Sequence, residues 1–150
     1  MPGAVDVSKI IAVYAGNLHK KNSEYLGFIP QSRIDWYQDR GQIIPEYENN
    51  ELCGYLIWGI GWPWMRIYQA CVEYELRWLG HGRGLVDKAL RIARKNKCAA
   101  ITLGCRESNA AVTFWSMLGF VILGERVGGK RRGAKIIQFV LWVDTQGKLF

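Results

Sequence analysis

Near the start of the chain, apolar residues fall at helical spacing. Ile10, Ile11, Val13, Tyr14 and Leu18 form a stripe that predicts a helix over 8–20. After Pro30, Ser32 and Asp35 stand three apart in the manner of a capping box, predicting a short second helix over 33–40. The period then changes. Residues 42–48 and 52–60 are runs rich in Ile, Tyr and Trp and read as strands. They are joined at Asn49-Asn50, where Asn tolerates the positive φ that a tight hairpin turn demands. Trp62-Pro63-Trp64 interrupts, and 66–72 reads as another strand. Over 83–97, Leu85, Val86, Ala89, Leu90, Ile92 and Ala93 share one face while Asp87, Lys88, Arg91, Arg94 and Lys95 share the other, as in an amphipathic helix. A short strand over 99–105, a helix over 109–118 stopped by Gly119, and strands over 120–127 and 135–143 complete the pattern. The outcome is a mixed α/β fold, with strands preceding and flanking two late helices. No repeat or linker-like tract divides it, so one domain spanning 1–150 is expected.

Composition narrows the class. With 150 residues, of which 49% are apolar, the chain can bury a sizeable core and is not a disordered segment. The longest uncharged runs, 52–65 and 108–124, fall short of the ~18 apolar residues a membrane span requires. The opening MPGAVDVSK has neither a basic n-region nor an apolar h-region, which leads to a cytoplasmic expectation. Cys53, Cys71, Cys98 and Cys105 form no CxxC pair, and His19 and His81 are the only histidines, so no metal site is expected. The thiols read as free and buried, although a Cys/His nucleophilic pair that meets only in space stays open. A net charge of +7, from 20 Lys and Arg against 13 Asp and Glu, admits an anionic ligand, an acidic substrate, nucleic acid or simply a basic surface.

The chemistry concentrates in QACVEYELRWLGHGRGLV, residues 69–86: a strand, a loop, and Gly80, Gly82 and Gly84 at the mouth of the amphipathic helix. Glycines there let backbone N–H groups converge, and the first-turn N–H groups of a helix lack intrahelical acceptors, so the place suits a phosphate. Other phosphate signatures fail. Leu85 stands where GxGxxG needs its third glycine, and Gly129-Lys130 is followed by Arg131 where a P-loop needs Ser or Thr.

Arg77-Trp78-Leu79-Gly80-His81-Gly82 resembles the R/Q-x-x-G-x-G/A acetyl-CoA loop of the GNAT acetyltransferase superfamily, with Val72 five residues before the arginine. Downstream, 111–120, reading AVTFWSMLGF, resembles the family's helix ending in F-Y-x-x-L-G-F. The resemblance covers about 52–143 and implies the GNAT fold, a central twisted, mostly antiparallel sheet splayed at the CoA site with flanking helices. It implies an N-acetyltransferase that moves acetyl from acetyl-CoA directly to a primary amine, on a protein Lys, an N-terminus or a small molecule. It implies that Leu79, Gly80, His81, Gly82, Arg83 and Gly84 give backbone N–H groups to the CoA pyrophosphate, and that Arg77 and Trp115 also belong to the cofactor site. Cys71 and Val72 would run along the pantetheine arm, and the Val72 N–H would face the acetyl carbonyl. Ser108 or Asn109 would help to hold the arm. The family's usual first strand would be absent or confined to 4–7.

Two residues depart from the family pattern. Trp115 stands where the family has the Tyr that protonates the departing thiolate; an indole N–H can hydrogen-bond to sulfur but cannot release a proton near neutral pH. Water or Tyr68 could serve instead, and Trp115 reads equally as a core aromatic beside Phe114. Arg66 stands where a Glu base is common, leaving Glu46 and Glu48 on the neighbouring hairpin as candidate bases, each also readable as a solvated strand residue. Glu73 and Glu75 read as surface carboxylates flanking the loop, and His81 as a contact to phosphate or solvent. The run 126–135, with Arg126, Lys130, Arg131, Arg132 and Lys135, would lie near the acceptor entrance, where an acidic peptide or protein could be drawn in. A homodimer is compatible with this reading, as is a CoA-binding module with little catalysis. Because the aromatics are interleaved with apolar strand residues, as core residues are, the sequence argues against nucleic acid as a partner.

Overall fold

A computed structural model describes residues 7–22, 29–127 and 135–143. The expectations for 4–7 and for Lys130, Arg131 and Arg132 lie largely or wholly outside these residues. Helices α1 (Val7–Lys21) and α2 (Gln31–Asp39) come first, followed by β1 (Ile43–Glu48), β2 (Glu51–Gly61) and β3 (Trp64–Val72). A 3-10 turn (Tyr74–Leu76) leads to α3 (His81–Lys95), β4 (Ala100–Arg106), α4 (Asn109–Met117), β5 (Val121–Val127) and β6 (Lys135–Trp142). The strands form one sheet in the order β1-β2-β3-β4-β6-β5. The β1–β2, β4–β6 and β5–β6 pairs are antiparallel, while β3 and β4 are parallel. That parallel ladder spans only Trp64–Arg66 against Ala100–Thr102, although β3 runs on to Val72 and β4 to Arg106.

The contacts define two compact units. The first comprises Met1–Ile57 and Gln69–Leu85. In it, Ile11, Ala12, Ala15 and Leu18 on one face of α1 pack with Ile34 and Tyr37 of α2 and with Ile43, Tyr55, Ile57 and Cys71 of the strands. The predicted capping box does not form. Pro30, with its φ already at −67°, is the N-cap and its carbonyl accepts from Arg33 and Ile34, so the helix opens earlier and Ser32 lies inside its first turn. Asp35 accepts instead from Gln31 Nε2 at 3.0 Å, and the same amide donates to the Ala12 carbonyl of α1. The hairpin turn forms as expected, with Asn49 and Asn50 at φ 50° and 67°.

The second unit comprises Trp58–Tyr68 and Val86–Phe150. The buried stripe of α3, including Val86, Ala89 and Ala93, and the strand residues Met65, Ile101, Leu103 and Phe139 supply its core. The third helix spans His81–Lys95 rather than 83–97: Lys97 takes φ 56° and the Cys98 N–H returns to the Ala93 carbonyl, which closes the helix early.

Candidate functional site

The loop that the sequence assigns to the cofactor is built within the first unit. Where β3 ends, the Glu73 N–H donates to the Cys53 carbonyl at 2.8 Å, which ties the loop's start to β2. Arg77 then closes the loop: its Nε donates to the Val72 carbonyl at 2.9 Å and its Nη2 to Asn22 Oδ1 at 3.0 Å. The guanidinium therefore fixes the backbone beside the expected pantetheine strand and ties it to the end of α1. Trp78 and Gly80 take φ of 70° and 92°; at Gly80 the left-handed conformation, with open space around it, is what calls for glycine. The helix begins at His81, two residues earlier than the sequence predicts. Gly84 N–H already reaches the Gly80 carbonyl at 3.0 Å, and the N–H groups of residues 81–83 precede the intrahelical ladder.

Gly84 has a different reason to be glycine. A Cβ there would lie 2.5 Å from Glu46 Oε2, because the Glu46 carboxylate sits directly under the first turn of α3. Glu46 and His81 are each only 9% exposed. His81 Nδ1 is 3.2 Å from Glu46 Oε2, and His81 Nε2 is in close contact with Glu48 Oε2. Two expectations are thereby corrected. Glu46 is not a solvated strand residue, and His81 does not turn toward phosphate or solvent. His81 lies on the inward stripe of α3, four residues before Leu85 and eight before Ala89, both fully buried. That stripe, extended one turn toward the N-terminus, is the signal in the sequence that locates it. Each ring nitrogen faces a carboxylate oxygen, so an imidazolium, which donates from both nitrogens, satisfies both contacts.

The remaining candidates fall as follows. Val72 and Cys71 are buried at the end of β3. Ser108 Oγ accepts from the Ala111 N–H at 3.1 Å and so caps α4, which Asn109 opens. Trp115 is buried, with its ring edge-on to Phe114 at 4.9 Å and to Phe120 at 5.2 Å, the core placement that the sequence left open. Tyr68 is 45% exposed in the second unit. Glu73 precedes the 3-10 turn and Glu75 lies within it, both partly or fully exposed as expected.

No nucleophilic Cys/His pair is supported. His19 is buried and fully engaged: Nε2 accepts from the Ile29 N–H at 3.0 Å, which leaves Nδ1–H to donate to Gln69 Oε1 at 3.2 Å. Tyr55 also donates to that oxygen, at 2.6 Å. Burial pushes the thiols of Cys71 and Cys98 up, Arg77 partly opposing it at Cys71, and pushes Cys105 up to about 11. Thiols in such settings are inert at neutral pH. For Cys105 the sign of the pH effect is fixed. The unfolded thiol loses its proton from near 9.0 while the folded one keeps it until about 11, so this residue withdraws stability as the pH rises across that window. Cys105→Ala should flatten the fall in melting temperature between pH 9 and 11 relative to the parent; an identical fall would refute it. Among the described residues no group of three or more His, Cys, Asp or Glu could hold a metal ion.

Fold and loop together are those of an acetyltransferase. Residues 12–120 match the acetyltransferase (GNAT) family, and the chain belongs to that family. Ard1 from Thermoplasma volcanium is structurally similar, with a TM-score of 0.77 and 16% identity over 88% of this chain and 90% of that one. The ribosomal-protein-S18-alanine N-acetyltransferase from Escherichia coli gives 0.71 and 16%, covering 99% and 97%. An aminoglycoside 6'-N-acetyltransferase complexed with coenzyme A gives 0.75 and 14%, covering 89% and 91%. At such identities the likeness is one of fold. A search of curated proteins gives no match.

Proposed function

We propose that the protein binds acetyl-CoA and transfers its acetyl group directly to a primary amine. The observation that carries this reading is the arginine-closed loop ending at Gly80, which leads straight into the first-turn backbone N–H groups of α3. A pyrophosphate there would accept from those N–H groups at the positive end of the helix dipole. The arm would follow Cys71 and Val72, the Val72 N–H polarising the acetyl carbonyl. The amine nitrogen attacks the carbonyl carbon, the C–S bond breaks, and the thiolate takes up a proton while the new amide nitrogen loses one. Raised thiols favour this route over one through an acetyl-cysteine, because the nucleophile would be the thiolate. The carboxylate of Glu46 belongs under α3 with His81, so its part is to hold the loop in place. The coenzyme A complex of the structurally similar aminoglycoside acetyltransferase supports the cofactor assignment.

Acetyl-CoA at millimolar concentration should raise the melting temperature, since a ligand specific for the folded state shifts the equilibrium by mass action; no shift removes the CoA reading. Thiol release from acetyl-CoA across a panel of peptide and small amines then identifies the acceptor.

A further inference from the structure

One face of the second unit's sheet carries exposed aromatic and basic side chains. Along β3 the burial alternates, so that Trp64, Arg66 and Tyr68 are exposed while Met65 and Ile67 are buried. Trp64 is opposite Ala100 of β4, which is opposite Trp142 of β6, so both indoles stand on the same face above the small alanine. Their rings meet edge-on at 6.2 Å, and they are 41% and 62% exposed. Six residues along β4 from Ala100, about 20 Å at strand rise, Arg106 pairs with Ile136, which pairs with Arg126 of β5. Even spacing on β4 and β6 keeps Arg106 and Arg126 on the face of the two tryptophans. The face thus carries three exposed aromatic rings, the exposed Arg66 and Arg126, and the half-buried Arg106. Its other described polar groups, Thr102 and Gln138, are neutral, and among the described residues of β3 to β6 no carboxylate points to it; Glu125 pairs with Ile137 on the opposite side.

The charge of the whole chain follows the same division. The unit that owns this face has 13 Lys and Arg against 4 Asp and Glu, whereas the other has 7 against 9. The net positive charge therefore resides in the unit that carries this face, and the sequence-based argument that the aromatics are core fails for Trp64, Tyr68 and Trp142.

We propose that this face binds single-stranded nucleic acid, with unpaired bases stacked on Trp64, Trp142 and Tyr68 and phosphates paired with Arg66, Arg106 and Arg126. Flat aromatic rings on an open sheet suit bases of any identity, and guanidiniums along the same face suit the backbone between them. A duplex hides its bases and would meet only the charges. A second copy laid face to face would set like charges against each other.

The test is fluorescence anisotropy of the full chain with a fluorescein-labelled 12-nucleotide single-stranded RNA of mixed sequence, its duplex form, and vesicles of phosphatidylcholine with phosphatidylserine. The single strand is expected to bind more tightly than the duplex and to quench tryptophan emission. Trp64→Ala and Trp142→Ala should each weaken binding about tenfold, in line with the cost of losing one stacked base. Arg126→Glu, at an exposed position on β5 with no packing to lose, should weaken binding and reduce its salt dependence, which keeps the test decisive if a tryptophan variant does not fold. Acetyl-CoA should still raise the melting temperature of the folded variants. Equal affinity for duplex and single strand, affinity indifferent to both the rings and Arg126, binding to vesicles in place of RNA, or a dimer that buries the rings would each overturn the proposal.

Discussion

His81→Ala is expected to lower the melting temperature on the order of 10 °C, one of the largest effects of any single substitution outside the apolar core. His81, which opens α3, stands between Glu46 and Glu48, and both it and Glu46 are buried. Removing the imidazole deprives the Glu46 carboxylate of its contact at 3.2 Å and takes away the group that stands between it and Glu48. Loss of one partner from a buried pair costs about 3–5 kcal/mol, because the remaining charge loses compensation and gains no water in its place. Adding Glu46→Gln to the variant removes that charge and should restore part of the loss, so the two changes will not add. The functional readout separates positioning from bulk stability. With the first turn loosened, the KM for acetyl-CoA should rise well below the melting temperature while kcat at saturating acetyl-CoA falls much less. A melting temperature within about 1 °C of the parent would show that the contacts with Glu46 and Glu48 hold nothing in place.

Gly84→Ala should destabilise, although alanine is the better helix former by about 1 kcal/mol. The added Cβ would lie 2.5 Å from Glu46 Oε2. A carboxylate at the end of a free side chain would swing aside at little cost; this one is bound to His81, so yielding breaks that contact. Overpacking of this kind costs about 1–3 kcal/mol, measurable as a lower urea midpoint at unchanged m-value. The sign is expected to reverse in a Glu46→Ala background, where the space is open and only the helix propensity remains. If Gly84→Ala destabilises equally in both backgrounds, the carboxylate is not what requires glycine.

Much of the site could be read from the sequence because the signals are local. Asn49-Asn50 calls for a tight hairpin through backbone freedom alone, and a glycine-bearing loop before an amphipathic stripe marks a helix start that can meet phosphate. Spacing also places Arg77 five residues after Val72, and the structure joins those two through the guanidinium and the Val72 carbonyl at 2.9 Å. Errors of boundary have local causes as well: Pro30 begins α2 before Ser32 can cap it, and α3 starts at His81 because Gly80 turns the chain there.

What the sequence by itself determined is therefore the order of elements, set by periodicity and by residues that act on their own backbone; the family and the stretch that would carry the cofactor came from the resemblance of 77–82 and 111–120 to the GNAT motifs. Tertiary structure alone decided the meaning of the side chains. Glu46 and His81 lie far apart in the chain and look solvated in isolation; only the packing of α3 over β1 makes them a buried pair and gives Gly84 its purpose. The same holds in the opposite sense for Trp64 and Trp142. Alternation marks them as strand residues, but which face of a strand is covered depends on where helices pack, and here both rings are left exposed.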